Sequence, residues 1–148
     1  MFKVFSSAQR AYLAGFLDGD GSIYVRAKPN STYRYGFQIA PYIVLFQSSK
    51  DKINFEKICS LINLGHLRER KDGILEYIIS KNGDIEKFLS LVEPFVILKK
   101  SQVKLMREIL KLKSKIKDRE DFIVLLKLID SFRELNYSKK RKIRKLTP

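Results

Sequence analysis

Cysteine and histidine are almost absent from this chain of 148 residues, in which Cys59 and His66 are the single representatives of their types. A disulfide framework or a zinc cluster built within one chain is therefore excluded, and mechanisms that depend on several histidines are disfavoured. Any bound metal must be held by oxygen, which suits Mg²⁺, Ca²⁺ or Mn²⁺. We predict that Cys59 is a small buried side chain and that His66 lies on a strand face or in the core.

Acidic residues and long hydrophobic runs are also scarce. Sixteen Asp and Glu residues stand against 30 Lys and Arg, which gives a formal net charge of +14. Such an excess indicates a polyanionic partner, either nucleic acid or an anionic membrane surface. The apolar runs are interrupted well short of a membrane span and no signal-peptide pattern opens the sequence. Nucleic acid is therefore the favoured partner, and no membrane partner is expected.

The sequence also lacks any linker rich in Gly, Pro or Ser, and it contains no second copy of the motif described below. We predict a single domain over residues 1–148, with a core over about residues 6–98 and with helices and a basic tail over about residues 99–148.

Two carboxylates and three glycines stand at the end of the first predicted helix, within the segment 13–21. The helix begins with a capping box between Ser6 and Gln9 and continues with an apolar stripe that includes Tyr12. Unpaired carbonyls make a helix C-terminus negative, so Asp18 and Asp20 stand where acidic side chains are disfavoured and a positive group is expected. The simpler alternative is a helix that stops at a glycine, followed by two solvated aspartates.

A second stripe on the same helix consists of Ala11, Gly15 and Gly19, spaced four residues apart. Glycine inside a helix costs about 1 kcal/mol relative to alanine. A stripe with almost no side chains therefore indicates that another backbone packs very close to this face.

The remaining pattern predicts an α+β fold. Residues 22–28 alternate as a strand with Ile23, Val25 and Ala27 inward, and residues 35–46 form a second strand on which Val44 faces outward. Asn82 is expected to cap the third helix, which Pro94 stops. The other predicted elements are a helix over 50–64, strands over 66–70 and 74–80 joined by a turn over 71–73, and two helices within 101–136.

The segment 13–21 resembles the motif of the LAGLIDADG homing endonuclease family, from which it departs at Phe16, Leu17 and Gly19. The resemblance extends over about residues 6–142. It implies the αββαββα fold, in which a curved antiparallel sheet forms a saddle over DNA. It also implies that motif helices pack in pairs, so a chain with one motif would be a homodimer with Ala11, Gly15 and Gly19 in the seam. The implied activity is intron homing: an intron-encoded enzyme cuts both strands of a long, pseudo-palindromic DNA target.

The same resemblance assigns roles in the active site. Asp20 is the implied metal ligand and the Gly19 carbonyl a second ligand, while Asp18 is a structural residue of the helix end. Gln47 would orient water through hydrogen bonds. Lys99 would polarise water or stabilise the transition state.

Two features near the implied active site leave alternatives open. Lys100 is a second candidate for the role of Lys99. Asp51 occupies a position that is often basic in the family, between Lys50 and Lys52, and either lysine is a candidate to compensate. The implied cofactor is Mg²⁺, with Mn²⁺ substituting and Ca²⁺ binding without supporting cleavage.

An outward strand face that is polar and cationic predicts contact with the major groove of double-stranded DNA, although an exposed strand face is polar for other reasons too. Residues 138–145 include six cationic residues in eight and resemble the family's phosphate-contacting segment. This resemblance implies that Lys139 and Arg141 would contact the phosphate backbone of DNA. The other predicted DNA-binding residues are Ser22, Tyr24, Arg26, Lys28, Asn30, Tyr33, Gln38, Tyr42, Arg68, Arg70 and Glu76.

Two other functions remain open at this point. The chain could be an RNA-binding maturase that uses the same scaffold to assist splicing of its intron. It could also be a DNA-binding regulator in which the motif is only a dimer interface.

Overall fold

The computed structural model describes residues 4–136, and within that range the fold is α+β with the predicted order αββαββα followed by two helices. A 3-10 turn over Ser49–Asp51 leads from the second strand into the second helix. The elements are α1 (Ser7–Asp20), β1 (Gly21–Pro29), β2 (Phe37–Ser48), α2 (Lys52–Ile62), β3 (His66–Glu69), β4 (Ile74–Ile79), α3 (Asn82–Val92), α4 (Lys100–Lys113) and α5 (Arg119–Leu135).

Contacts divide the chain into two compact units. The first contains the residues up to Ile23 together with Tyr42–Lys100, and the second contains Tyr24–Pro41 with the residues from Ser101 onward. The single domain predicted over residues 1–148 stays a prediction. No helix within residues 4–136 is long and apolar enough to span a bilayer.

Helix α1 begins at the predicted capping box. The Ser6 hydroxyl accepts a hydrogen bond from the Gln9 N–H at 3.1 Å, and the Ser6 N–H donates to the Gln9 side chain at 3.0 Å. Two N–H groups that the helix itself leaves unpaired are thereby satisfied. Leu13 and Leu17 are fully buried. Tyr12 was expected beside them but is 56% exposed, because it lies about 100° around the helix from Leu13 and falls off the buried face.

The end of α3 is fastened to α1 by Arg10. Its Nε donates to the Leu91 carbonyl at 2.9 Å, and a terminal guanidinium nitrogen donates to the Ser90 carbonyl at 3.2 Å. The guanidinium carbon also lies 5.5 Å from the centre of the Phe95 ring. Arg10 thus satisfies carbonyls that the last turn of α3 leaves without helical partners.

The sheet has the strand order β1-β2-β4-β3, with β4 antiparallel to both of its neighbours. The predicted turn between β3 and β4 contains Gly73 at φ +80°, a conformation that glycine adopts without strain. Val44 was expected to face outward, but only 1% of it is exposed. It is a short side chain on an interior strand and lies opposite Ile78, so larger neighbours exclude water from it.

The boundaries of α2 and α3 differ from the sequence predictions. Helix α2 starts at Lys52 rather than at residue 50, because the Ser48 hydroxyl caps the preceding 3-10 turn. It ends where Asn63 turns left-handed at φ 50°, as asparagine often does after a helix. Asn82 was expected to cap α3, but it is the first helical residue and Lys81 occupies the cap without a side-chain hydrogen bond.

Aromatic stacking and apolar helix faces build the second unit. The Tyr35 and Phe122 rings stack with their centres 4.9 Å apart. Val103, Met106 and Ile109 are fully buried along α4. Helix α5 begins where the Asp118 carboxylate accepts the N–H of Asp121 at 2.8 Å, and its buried residues are Phe122, Leu125, Leu126, Ile129 and Phe132.

Cys59 is buried in α2, as predicted, and burial raises the pKa of its thiol from 9.0 to about 11. The folded chain therefore holds the thiol proton more tightly than the unfolded chain does. This contribution to stability is complete below pH 9.0 and is lost as the pH rises toward about 11. His66 lies on β3 and is exposed, as expected for a strand face.

The raised thiol pKa predicts slow chemical modification of Cys59. At pH 8 an aromatic disulfide should react with folded protein at least about 10²-fold more slowly than with urea-unfolded protein, because the reactive thiolate is scarcer and less accessible. Absorbance of the released aromatic thiol measures both rates. Equal rates would show that this environment does not protect the thiol.

Candidate active site

The carboxyl end of α1 presents Asp20 to solvent. Gly19 and Asp20 are both exposed, and no basic residue lies in the last turn of the helix. Within residues 4–136 the Asp20 carboxylate has no hydrogen-bond or ion-pair partner. Because helix-end carbonyls carry partial negative charge, this corner combines carboxylate and carbonyl oxygens, the ligands that hard divalent cations prefer. The donor set fits such an ion.

A complete ligand set does not come together in the described part of one chain. Among residues 4–136, no three His, Cys, Asp or Glu side chains lie close enough together to hold a metal ion. The Asp20 carboxylate and nearby carbonyls therefore supply only part of what a divalent cation needs.

Asp18 is held by the loop that follows α3. Its carboxylate accepts three backbone N–H groups, from Ile97 at 2.8 Å, from Leu98 at 3.1 Å and from Lys99 at 3.0 Å. These bonds connect residues about 80 positions apart along the chain. The geometry agrees with the expected structural role. Both carboxylate oxygens of Asp18 accept backbone N–H groups, whereas Asp20 is exposed.

Lys99 supplies the positive group that the sequence pattern predicted at the end of α1. Its ammonium nitrogen donates to the Asp18 carbonyl oxygen at 3.0 Å, and its side chain is half-buried. Lys100, the alternative candidate, is the exposed first residue of α4. A cation on a terminal carbonyl also offsets the negative end of the helix dipole.

Gln47 lies near the end of β2, opposite Leu75 on β4. Its side-chain oxygen accepts the N–H of Ser48 at 2.8 Å. In this conformation the side-chain Nε2 is available to water as a hydrogen-bond donor, and the oxygen retains one lone pair as an acceptor.

The two lysines beside Asp51 have different surroundings. The Lys52 ammonium lies 3.0 Å from a Glu69 carboxylate oxygen, and this hydrogen-bonded ion pair raises the pKa of Lys52. Lys50 is exposed, and within residues 4–136 its ammonium has no ion-pair partner.

The small-residue face of α1 is open. Ala11, Gly15 and Gly19 are all exposed. A Cβ atom added to Gly15 or to Gly19 would meet no atom within 4 Å. Nothing in the described part of this chain therefore requires a glycine at either position.

In the first unit, predicted DNA-binding residues cluster on the hairpin of β3 and β4. Arg68 lies directly opposite Glu76. The Arg70 guanidinium contacts the Asp72 carboxylate at 2.6 Å and the Glu76 carboxylate at 3.8 Å. The structure thus brings these side chains together, but Arg70 already has carboxylate partners within the chain. Two further predicted residues of this unit, Ser22 and Tyr42, are half-buried.

In the second unit, predicted residues lie on and near the loop between β1 and β2. The exposed Arg26 guanidinium lies 5.5 Å from the centre of the Tyr24 ring. The Asn30 side-chain oxygen accepts the N–H of Thr32 at 3.0 Å and its hydroxyl at 2.7 Å. Asn30 therefore shapes the loop, a role that the sequence pattern did not assign. Lys28 is half-buried in β1.

A cavity of about 290 Å³ lies in the same unit and includes Tyr33 and Gln38 in its wall. Lys113 also lines it, and burial lowers the pKa of this lysine. Lys113 is thus partly buried, although it lies in the last turn of α4. The predicted tail contacts, Lys139 and Arg141, lie outside the described residues.

Comparison with known proteins gives concordant matches. Residues 13–100 match the family model described as LAGLIDADG endonuclease. The chain is 33% identical to DNA endonuclease I-CreI of Chlamydomonas reinhardtii over 132 residues, which cover 88% of this chain and 80% of that protein. It is 29% identical to DNA endonuclease I-CvuI of Chlorella vulgaris over 133 residues, which cover 90% of this chain and 83% of that protein.

Crystal structures of I-CvuI share the fold. One contains the I-CreI target in the presence of 2 mM Mg, with the DNA not cleaved; its TM-score is 0.85 at 29% identity, covering 92% of this chain and 87% of that chain. Another contains the enzyme's own target in the presence of 2 mM Ca. Its TM-score is 0.85 at 28% identity, and the match covers 93% of this chain and 87% of that chain.

Proposed function

Because this chain belongs to the LAGLIDADG endonuclease family, we propose that it is a divalent-metal-dependent DNA endonuclease that cuts a long, pseudo-palindromic site as a homodimer. The observation that carries the proposal is the exposed Asp20 carboxylate at the negative end of α1, beside a Lys99 ammonium held on the same helix end. An accessible carboxylate can hold the divalent ion that activates water. An ordered ammonium can stabilise the negative charge that develops on the phosphate during phosphodiester hydrolysis.

The exposed small-residue face of α1 supports the dimer. Two copies related by a two-fold axis can bring these faces together, because Gly15 and Gly19 leave room for a second backbone. The seam of Ala11, Gly15 and Gly19 then places two Asp20 carboxylates side by side. Two-fold symmetry of the protein also matches the symmetry of a pseudo-palindromic target.

The metal would be held by Asp20 and by the Gly19 carbonyl of each chain. A divalent ion bound there supplies charge neutralisation at the scissile phosphate and a more acidic water. Mg²⁺ is the expected cofactor, with Mn²⁺ substituting for it. Ca²⁺ is expected to bind without supporting cleavage, since its looser coordination aligns the reacting groups poorly.

The neighbouring side chains act on water and on the phosphate. The Lys99 ammonium would polarise the attacking water or stabilise the negative charge that develops on the phosphate. The Gln47 amide would orient water as a hydrogen-bond donor, in keeping with the group its conformation leaves available. Lys50 is the better candidate to replace the family's basic residue, because Glu69 already engages Lys52.

The predicted DNA contacts divide by chemistry. Arg26, Lys28 and Arg68 suit guanine edges or phosphates, and Gln38 suits adenine. Arg70 must exchange its Asp72 partner for DNA, which reduces its expected net contribution to binding. Contact area and hydrogen bonds would come from Ser22, Tyr24, Asn30, Tyr33, Tyr42 and Glu76.

The basic tail predicts a salt effect. If Lys139 and Arg141 each neutralise one phosphate in both chains of a dimer, replacing residues 139–142 with alanine should reduce the slope of log K against log salt by about 3 to 4. Fluorescence anisotropy at several KCl concentrations measures the slope. A control with the same loss of charge replaces four lysines that are exposed on or near the last two helices, namely Lys111, Lys115, Lys117 and Lys127. An unchanged slope in the tail variant would contradict the assignment of Lys139 and Arg141 as phosphate contacts.

Selection from a DNA library tests the proposed function against its alternatives. Duplexes that bind in Ca²⁺ are recovered and then incubated in Mg²⁺ or Mn²⁺, beside an RNA arm that measures splicing of the host intron. The endonuclease predicts cleavage of both strands at fixed positions with short 3′ overhangs. Specific binding without cleavage would favour a regulator, and stimulated splicing without cleavage would favour a maturase.

A further inference from the structure

The contacts between Asp18 and the loop after α3 hold one lysine at two points. The Asp18 carboxylate accepts the backbone N–H of Lys99 at 3.0 Å, and the Asp18 carbonyl accepts the ammonium of the same residue at 3.0 Å. The backbone N–H and the side-chain ammonium of Lys99 are therefore both held by one residue. Lysine otherwise samples many rotamers.

Packing holds the start of this loop at Val96, which is 1% exposed, but it does not explain how the next two residues are held. Ile97 and Leu98 are 77% and 74% exposed, so two large apolar side chains contribute little burial at this point. Their N–H groups both donate to the Asp18 carboxylate, at 2.8 Å and 3.1 Å. Hydrogen bonds to an ionised acceptor are stronger than neutral ones. The position of residues 97–99 therefore depends on Asp18.

We propose that Asp18 is the positioning residue for Lys99, so that the first aspartate of the motif acts in cleavage through the lysine while the second aspartate binds metal. The proposal rests on the proposed nuclease function. Asp18 is two residues from Asp20 on the same helix end. Its carboxylate anchors the loop, and its carbonyl oxygen holds the Lys99 ammonium beside the metal-binding corner. A charge held in place before the reaction stabilises the transition state without a cost of reorganisation.

The test is a double-mutant cycle on the full-length protein with its selected duplex. Asp18→Asn keeps the size of the side chain but places an amide among the three N–H donors. We expect its single-turnover cleavage rate in Mg²⁺ to fall by about 10²-fold, with DNA affinity unchanged within about threefold. In a Lys99→Met background, the same change should slow cleavage by less than about threefold, since its effect passes through the lysine.

Two controls keep the result interpretable. Asp118→Asn removes the same charge at the cap of α5, where the Asp118 carboxylate accepts one N–H, and should leave the rate unchanged. Asp18→Glu retains a carboxylate for the three donors and should give an intermediate rate, which also covers the case in which the asparagine variant unfolds.

Each contrary outcome is distinguishable. Losses that multiply in the double variant would mean that Asp18 acts on the fold rather than through Lys99, and a wild-type rate in Asp18→Asn would overturn the proposal directly. A wild-type rate in Lys99→Met would overturn the role of the lysine, and an uncut duplex with wild-type protein would overturn the nuclease function.

Discussion

Replacing Asp20 with asparagine is expected to slow single-turnover cleavage in Mg²⁺ by about 10³-fold or more. Asparagine keeps the volume and one oxygen of the side chain but removes the negative charge that would hold the metal. DNA affinity, measured without divalent ions, should stay within about threefold of the wild-type value. Quenched-flow cleavage and fluorescence anisotropy provide the two measurements.

The stability of the same variant separates a functional effect from a structural one. Asp20 lies at the negative end of α1, with no basic residue in the last turn and no partner within residues 4–136. Removing its charge should therefore leave the thermal midpoint unchanged or slightly higher. Asp118→Asn serves as the charge-matched control and should cleave normally. Normal cleavage by Asp20→Asn would contradict the assignment of Asp20 as a metal ligand.

Replacing Gly15 with leucine is expected to abolish dimerisation and to reduce cleavage by at least about 10³-fold. A Cβ at this position meets no atom of the described chain within 4 Å, so the monomer should fold. Leucine is also a better helix former than glycine by about 1 kcal/mol. In the dimer, the same side chain would lie where a second backbone must approach. Analytical ultracentrifugation and circular dichroism measure assembly and folding.

Gly83 provides a matched control for this substitution. It is an exposed helical glycine in α3, and a Cβ added there also meets no atom within 4 Å. Gly83→Leu should therefore remain dimeric and active. A dimeric and active Gly15→Leu variant would show that the small-residue face is not the seam.

Local signals in the sequence predicted much of the fold. The capping box at Ser6 and the turn at Gly73 each depend on residues within a few positions of one another, and the structure contains both features. The alternation predicted for β1 holds at Ile23 and Val25, which are buried, but Ala27 is only half-buried. Predictions that depend on neighbours distant in sequence were less accurate. Val44 is buried because of the strand beside it, and Tyr12 is exposed because the buried face of α1 is narrow.

The candidate site shows the same division. The misplaced carboxylates at the end of α1 predicted a positive group nearby, and the ammonium of Lys99 lies there. No local pattern indicated that Asp18 would accept three N–H groups from a loop about 80 residues away. Nor did sequence spacing predict that Glu69 would engage Lys52 or that Lys113 would be partly buried, because both follow from tertiary contacts.

In the proposed enzyme, two chains that each contribute one Asp20 form one cutting centre. Burst titration tests it most directly: selected duplex is held far above its dissociation constant, Mg²⁺ is added, and the duplex cut in the first turnover is measured against the concentration of active chains. We expect one cut duplex for every two chains. One cut duplex for every chain would contradict it.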